Sequence, residues 1–341
     1  MEALISSLSR QQCVAISHAS DVAAARRAGL ALAAALGFDE TRAGQLAIII
    51  TEAATNIVKH AGHGMLYLGP AQSGAASGVD VVALDSGPGI ADVASSLVDG
   101  VSTAGTSGTG LGALHRLSDE FDVYSQHGKG AAFYMRLWRE APAPHARPLV
   151  LGALAVPIQG EEECGDGWAL ACNEHGATVL AADGLGHGPD AARAAIAAIG
   201  VLARHRELPP AALMQQVDGA LRITRGAAVA LARIDCTRDE VRFAGIGNIS
   251  AWVLDGARRA LVSHNGIVGH NMRKVQEFSA AFPPGALCIM HSDGLQTQWD
   301  LDAYPGLAAR HPSLVAAVLM RDFSRRRDDA MVLALRRRER A

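Results

Sequence analysis

Between residues 49 and 60 the apolar and polar positions separate onto different faces of a helix. Ile49, Ile50, Ala53, Ile57 and Val58 take the apolar positions, while Glu52, Asn56, Lys59 and His60 fall near one face at helical spacing. Asp39 can cap this helix, which is predicted to run to about Ala61. A preceding helix is expected from an Asp21 cap to Gly37. The pattern then shifts: "MLYLG" and "VDVVALD" read as strands, with the small-residue stretch "PAQSGAASG" as a loop between them. A Gly-, Ser- and Thr-rich segment, 99–110, leads into a helix at "LGALHRLSDEF". Two strands follow, "FDVYS" and "AAFYMRLW", around the turn "QHGKG".

After Trp138 the pattern breaks. "EAPAPHARP" has three prolines in nine residues, which stops helix propagation and suits an extended linker. The expected division is therefore a domain over 1–140, a linker over 141–148 and a second domain over 149–341. The second domain opens with strand-like "LVLGALAVPI" and a hairpin in "GWALACNEHGATVLAADG". Two helices are predicted at 189–206 and 210–223, each started by proline. Strands at "AAVALARID", "EVRFAGIG", "SAWVLD" and "ALCIMHSD", a helix near 312–322 and a last strand "AMVLALR" complete it. This order suggests stacked sheets flanked by helices, in a two-domain α/β (α+β) chain.

Composition narrows the function classes. Hydrophobic residues make up 49% of the 341 and charged residues 19%, enough for two ordinary cores. A net charge of −3 makes no electrostatic case for nucleic acid. The runs "RRR" at 325–327 and "RRRER" at 336–340 read as solvated strand ends. No apolar run reaches the roughly 18 residues of a membrane span, and the N-terminus lacks a signal peptide's order. Five cysteines without a CxxC pair fit reduced thiols, and the expected location is cytoplasmic.

Three pieces of the first domain suit a nucleotide when taken in order. Glu52 and Asn56 come first, then "DSGPGI" at 85–90, then "GTSGTGLGALHRL" at 105–117. Asp85 can accept a hydrogen bond from an adenine amino group. Gly87 and Gly89 let the backbone pass close to a flat base. Gly108, Gly110 and Gly112 can present N–H groups to phosphates at a helix N-terminus, and Asn56 offers a hard oxygen to Mg²⁺. With the trailing "GKGA", these motifs over roughly residues 10–138 resemble the GHKL ATPases. Within them the likeness is to the RsbT- and RsbW-like switch kinases that phosphorylate serine on STAS-domain proteins. The resemblance implies a Bergerat-type α/β sandwich, Mg²⁺ held by Asn56, and Glu52 acting on the attacking hydroxyl as general base or orienter. Lys59 and His60 are left between a structural and a phosphate-neighbour role. Members of the family commonly carry Thr after "GKG", where this chain has Ala131.

The second domain places aspartates at strand ends: Asp166 in "CGDGW", Asp183 in "ADGLGHG", Asp293 in "HSDGL", and Asp328 and Asp329 in "RRRDDAMVL". Buried carboxylates are costly unless compensated, and carboxylates without Cys or paired His indicate hard cations such as Mg²⁺ or Mn²⁺. Their order resembles the PPM metal-dependent serine/threonine phosphatases, nearest the SpoIIE- and RsbX-like branch, over roughly 149–336. That resemblance implies an α-β-β-α sandwich holding two Mn²⁺ or Mg²⁺. Asp183 would bridge the cations, with the Gly184 carbonyl on one of them, Asp293 and Asp328 completing the set and Asp166 orienting water. Such a pair acidifies a shared water for in-line attack at phosphorus. Asp329 is expected to support the ligands. His187 is left between leaving-group acid and loop histidine, and Asn248 and His291 are unassigned.

The combined expectation is a bifunctional switch: an ATP-dependent serine kinase fused to a phosphoserine phosphatase, both acting on a STAS-domain partner of an anti-sigma or stressosome-like system. Two alternatives differ in class. The first domain can be a nucleotide-sensing docking module without kinase activity, or the chain can be an anti-sigma factor.

Overall fold

The structure, a computed structural model, describes residues 3–7, 11–96, 110–142 and 148–339. The chain forms two compact units. The N-terminal unit comprises Ser9–His145 and Asp300–Arg321, and the C-terminal unit Met1–Leu8, Ala146–Trp299 and Asp322–Ala341. These units depart from the linear division at 1–140, 141–148 and 149–341. The first strand, β1 (Ala3–Ser6), belongs to the C-terminal unit, and residues 300–321 belong to the N-terminal one. The expected linker over 141–148 lies largely outside the described residues, and composition does not reveal which distant backbone a short strand or loop will pair with.

In the N-terminal unit, β2 (Gln12–Ile16), α1 (Ala19–Ala35), α2 (Glu40–Asn56), β3 (Gly64–Ser73) and β4 (Ala76–Asp85) come first. They are followed by α3 (Val93–Ser96), α4 (Gly110–Leu117), β5 (Glu120–Ser125) and β6 (Ala131–Trp138). The strands form one antiparallel sheet in the order β2-β3-β4-β6-β5. Ala25 and Ala33 of α1 and Leu46, Ile49, Ile50 and Ala53 of α2 pack with Leu66, Leu68, Val81 and Met135 of the sheet. The apolar face expected of α2 is thus its core face.

Local details differ from the sequence expectation. Asp21 lies inside α1 rather than before it: His18 is the cap, and the Asp21 carboxylate accepts from the His18 and Ser17 N–H groups at 2.8 and 2.9 Å. The stretch "PAQSGAASG" is strand, not loop. β3 and β4 pair through Ser73↔Ala76, leaving only two residues at the turn. Ladder bonds belong to the backbone, so pairing continues where small side chains erase the alternation. The helix expected over 111–121 ends at Leu117.

The C-terminal unit is a sandwich. β7 (Leu149–Val156), β8 (Asp166–Cys172), β9 (Gly176–Gly184), α5 (Pro189–Arg204), α6 (Pro210–Leu221) and β10 (Ala227–Asp235) follow one another. Then come β11 (Glu240–Ile246), β12 (Ser250–Leu254), β13 (Arg258–Leu261), β14 (Phe278–Ala281) and β15 (Leu287–His291). β16 (Ala330–Arg337) closes the series, while most of the helix that precedes it in the chain, α7 (Pro312–Phe323), belongs to the N-terminal unit. One sheet runs β1-β8-β9-β10-β11-β14 and the other β13-β12-β15-β16-β7. Val179, Ala181, Ala230, Val253, Cys288, Met290 and Leu333 fill the space between the sheets. The alternate residues Leu180, Ala182, Val229 and Leu231 pack under α5 and α6 with Ala198, Leu202 and Leu213. The C-terminal arginine run is not wholly solvated: Arg337 is buried, donates to the Phe282 and Cys236 carbonyls at 2.6 Å each, and pairs with Asp239.

Candidate active sites

Strand alternation builds the C-terminal site. On β9 the residues facing the other sheet are Val179, Ala181 and then Asp183. On β8 the same face carries Leu170, Trp168 and then Asp166, and the register sets Asp166 directly opposite Asp183. The same parity continues from Cys288 and Met290 to Ser292, and back from Met331 to Asp329. The positions that fill the core therefore turn polar together at one end of the sandwich.

Hydrogen bonds lock part of this end. The Ser292 hydroxyl donates to Asp166 Oδ2 at 2.6 Å and accepts from the Met331 N–H at 3.0 Å. Asn248 donates to Asp293 Oδ2 at 2.7 Å. Asp329 accepts from the Ile158 N–H through one oxygen and from the Gly165 N–H through the other, at 2.8 and 2.7 Å. Both of its oxygens hold backbone, as befits a residue that supports the ligands. Gly184 has no room for a Cβ, which would lie 2.2 Å from the Ala191 carbonyl oxygen of α5.

The carboxylates crowd one another. Burial pushes Asp183 up to about 7, helped by the charges of Asp293, Asp328 and Asp329. Asp166 is raised well above the carboxylate range by burial and by Asp183, against the lowering bond from Ser292. Burial and Asp328 raise Asp293. An all-oxygen donor set with uncompensated negative charge suits a hard divalent cation. Among the described residues no three His, Cys, Asp or Glu side chains close to a metal cage.

His187 is exposed and bonds Glu161 through Nδ1 at 2.8 Å. His291 is fully buried, with Nδ1 facing the Ser292 carbonyl at 2.8 Å and Nε2 accepting from the Trp299 indole at 3.0 Å. Burial lowers its pKa, and Nε2, accepting from the indole, carries no proton. Arg225, which sequence reasoning missed, pairs with Asp190 at 2.6 Å, and a Cβ at Gly186 of the "DGLGHG" loop would lie 3.1 Å from it.

The N-terminal site gathers on α2. Glu52 and Asn56 lie one turn apart, and the α-helix gives way to a π-helical turn over Ile57–Ala61 directly after Asn56. Such widenings of a helix occur often at functional sites. The N-terminus of α4 comes down on this pair. A Cβ on Gly110 would lie 3.2 Å from Glu52 Oε2 and 3.5 Å from Asn56 Oδ1. Among the described residues Asn56 Nδ2 is buried without a hydrogen-bond partner, beside a helix start that carries no side chain at Gly110. Both features suit a phosphate-bearing ligand with its cation. Gly112 is buried in α4, and Gly108 lies outside the described residues.

Asp85 ends β4 with its carboxylate oriented. Oδ1 accepts from the Gly87 N–H at 2.8 Å and the Ala131 N–H at 3.3 Å. Burial raises its pKa, opposed by those bonds and by the Arg321 and His60 charges. Position 131 holds Asp85 through its backbone N–H, while Ala131 brings no hydroxyl of its own. Gly87 and Gly89 have reasons other than room for a base. A Cβ on Gly87 would strike Ala61, and Gly89, at φ +73°, would strike the Gln126 carbonyl. Lys59 and His60 are exposed.

With this geometry in view, comparison with known proteins is direct. The histidine kinase-like ATPase domain family matches residues 17–137, and the Stage II sporulation protein E (SpoIIE) family matches residues 173–338. The serine/threonine-protein kinase RsbT of Bacillus subtilis (strain 168) is 36% identical over 128 residues, 38% of this chain and 96% of that protein. A solved chain of the bacterial stressosome, described as a modular system adapted to control secondary messenger signaling, is 30% identical. It covers 55% of this chain and 99% of its own, with a TM-score of 0.52. RsbX in complex with magnesium, at 17% identity and a TM-score of 0.50, covers 56% of this chain and 96% of its own, and shares the fold. The chain belongs to the RsbT-like family of histidine kinase-type ATPase domains, and its C-terminal region matches the SpoIIE family model and shares the fold of RsbX.

Proposed function

We propose that the chain is a bifunctional partner-switching regulator. Its N-terminal unit transfers phosphate from ATP to a serine of a STAS-domain partner, and its C-terminal unit removes that phosphate with Mn²⁺ or Mg²⁺. The observation that carries the reading is that one chain assembles both constellations, Glu52–Asn56–Gly110 in one unit and Asp166–Asp183–Asp293–Asp328 in the other. Similarity to RsbT and to a stressosome chain supports STAS-type partners.

In the forward direction Asn56 and the α4 N-terminus hold the phosphates and their Mg²⁺, and Asp85 takes the adenine amino group. Glu52 accepts the serine proton as the serine oxygen bonds the γ-phosphorus and ADP leaves. In the reverse direction Asp183, Asp293, Asp328 and the Gly184 carbonyl would hold the cations, which would supply an activated water and offset charge at phosphorus. Asp166, fixed by Ser292, would orient that water; as its oxygen bonds phosphorus, the P–O(Ser) bond breaks and the serine oxygen takes up the proton the water gives up. No helix among the described residues is long and apolar enough to cross a membrane, and the expected site of action is the cytoplasm.

A second reading makes the N-terminal unit a nucleotide-sensing docking module. Ala131 favours it, since it has no hydroxyl to offer. The test is labelled-phosphate transfer from ATP to purified STAS partners by the full-length protein, with release followed on addition of Mn²⁺. Transfer to none of the partners despite ATP binding selects the docking module. Release insensitive to chelator removes the metal reading.

A further inference from the structure

Residues 300–321 stand in the sequence between the strand ends that carry Asp293 and Asp328, yet they fold as part of the N-terminal unit. Their attachment within that unit is specific. The His311 ring stacks on the Tyr134 ring, with centroids 3.7 Å apart and planes at 6°. The His311 N–H donates to Asp122 Oδ2 at 2.6 Å, and Arg310 donates to Oδ1 of the same carboxylate at 3.2 Å. Lys129 of the "GKG" turn lies 5.1 Å from the centre of the Tyr304 ring. Arg321 Nη1 donates to the main-chain oxygen of Asp85 at 3.0 Å, so the nucleotide-site aspartate is held from the far end of the sequence.

Within the C-terminal unit, the chain leaves for this segment and returns through a hydrogen-bonded stem. The Arg325 N–H donates to the Gly294 carbonyl at 2.8 Å, and the Gln296 N–H donates to the Phe323 carbonyl at 2.9 Å. Leu295 and Ser324 form a bridge between them. Gly294 directly follows Asp293, and Asp328 comes shortly after Arg325. The Arg325 charge bears on Asp293. The stem therefore joins a segment seated on Asp85 to the backbone that places two cation-site carboxylates.

We propose that residues 300–321 are a coupling element, in which Arg321 is a positioning residue for Asp85 and nucleotide bound at Asp85 is transmitted to the stem that places Asp293 and Asp328. The inference rests on the nucleotide reading given above. Its physical basis is a shared element. A ligand that shifts the Asp85 backbone shifts the acceptor of Arg321, and Arg321 is four residues from Arg325 in the stem. Coupling of this kind is reciprocal for binding, and its usual size is about 5–150-fold.

The test uses the full-length protein and two readouts. ATP affinity at fixed free Mg²⁺ is measured by calorimetry for wild type, Arg321→Ala and Arg321→Lys. Arg321→Ala is expected to bind roughly 5–150-fold more weakly, and Arg321→Lys, which keeps a cationic donor, to recover most of the loss. Amide hydrogen exchange over 293–296 and 323–328 is then followed with and without ATP. Wild type is expected to change its exchange in both stretches on ATP addition, and Arg321→Ala, at ATP concentrations that saturate it, to change less. Equal ATP affinity in wild type and Arg321→Ala overturns the positioning role, and ATP binding without any change in stem exchange overturns the coupling. A wild-type chain that binds no ATP removes the nucleotide reading itself, a distinct result.

Discussion

The two sites keep their chemistry in different parts of the polypeptide. In the C-terminal unit it resides in side-chain charge: five aspartates at the end of a β-sandwich, several raised by burial and by one another. In the N-terminal unit it resides mostly in backbone and shape: a helix start without a side chain over Glu52 and Asn56, an orphaned amide nitrogen, and an aspartate oriented by two main-chain N–H groups. On the proposed reading, the first site repels itself until a cation binds. On the same reading, the second is a cradle that gains from a polyanionic ligand. One unit should therefore respond strongly to metal and pH, and the other to ligand shape.

The largest contrast is expected from Asp183→Asn. Loss of the shared carboxylate should abolish detectable Mn²⁺-dependent release from a phosphoserine partner, since both cations would lose a charged ligand. Full-length Asp183→Asn with ATP should accumulate phosphorylated partner, because only the forward reaction remains. Asp329→Asn, which disturbs backbone support, should cost only about 10–100-fold. Phosphate-release assays on the two variants side by side check this. Equal losses would erase the distinction between ligand and support.

Next in size is Glu52→Gln, which retains shape and hydrogen bonding but not the base. Phosphate transfer should fall about 10²–10⁴-fold, while ATP binding by calorimetry stays near wild type. Loss of binding instead would make Glu52 part of the cradle.

The electrostatic contrast is sharpened by stability in chelator. A carboxyl with a folded pKa of about 7 against 3.8 is bound to a proton more readily when folded. The fold is thus unpenalised below the unfolded value, and stability falls as pH rises from about 4 towards 7. The Asp183 contribution is at most about 4 kcal/mol. Metal-free Asp183→Asn should therefore melt above metal-free wild type at pH 8, with the gain vanishing near pH 4. A constant gain across that range would mean packing rather than charge is responsible.

The smallest effect is expected from Asp85→Asn. Removing a charged acceptor for the adenine amino group should weaken ATP binding by roughly 1.5–3 kcal/mol. Calorimetry showing equal affinity in both forms would take Asp85 out of the site.

Much of both units was legible in the residues. The strands "AAVALARID" and "ALCIMHSD" and the two proline-started helices appear as expected, as β10, β15, α5 and α6. Strong alternation and proline starts are local signals, decided within a few residues by sterics and burial. β1, β13 and β14 were not legible, because four residues of ordinary composition carry no period. The strand character of "PAQSGAASG" was hidden for a related reason, since small residues pair by backbone without marking a face. At the sites, residue types and order suggested the chemistry of Glu52, Asn56, Asp85, Asp166, Asp183, Asp293 and Asp328. The roles of Gly87 and Gly89 lay in neighbours that no local pattern names, Ala61 and the Gln126 carbonyl.

What the sequence determined by itself is therefore the inventory: two domains' worth of alternation, the order of carboxylates and glycines, and the chemistry those groups can perform. Tertiary structure alone decided the register that sets Asp166 opposite Asp183, the Ser292 bond that holds Asp166, and the descent of Gly110 onto Glu52 and Asn56. It also decided that β1 would extend the C-terminal sheet and that Arg321 would hold Asp85. Local propensity acts over a few neighbouring residues. These contacts join positions more than 50 apart in most cases, where which groups meet depends on how whole sheets and helices bury their apolar faces.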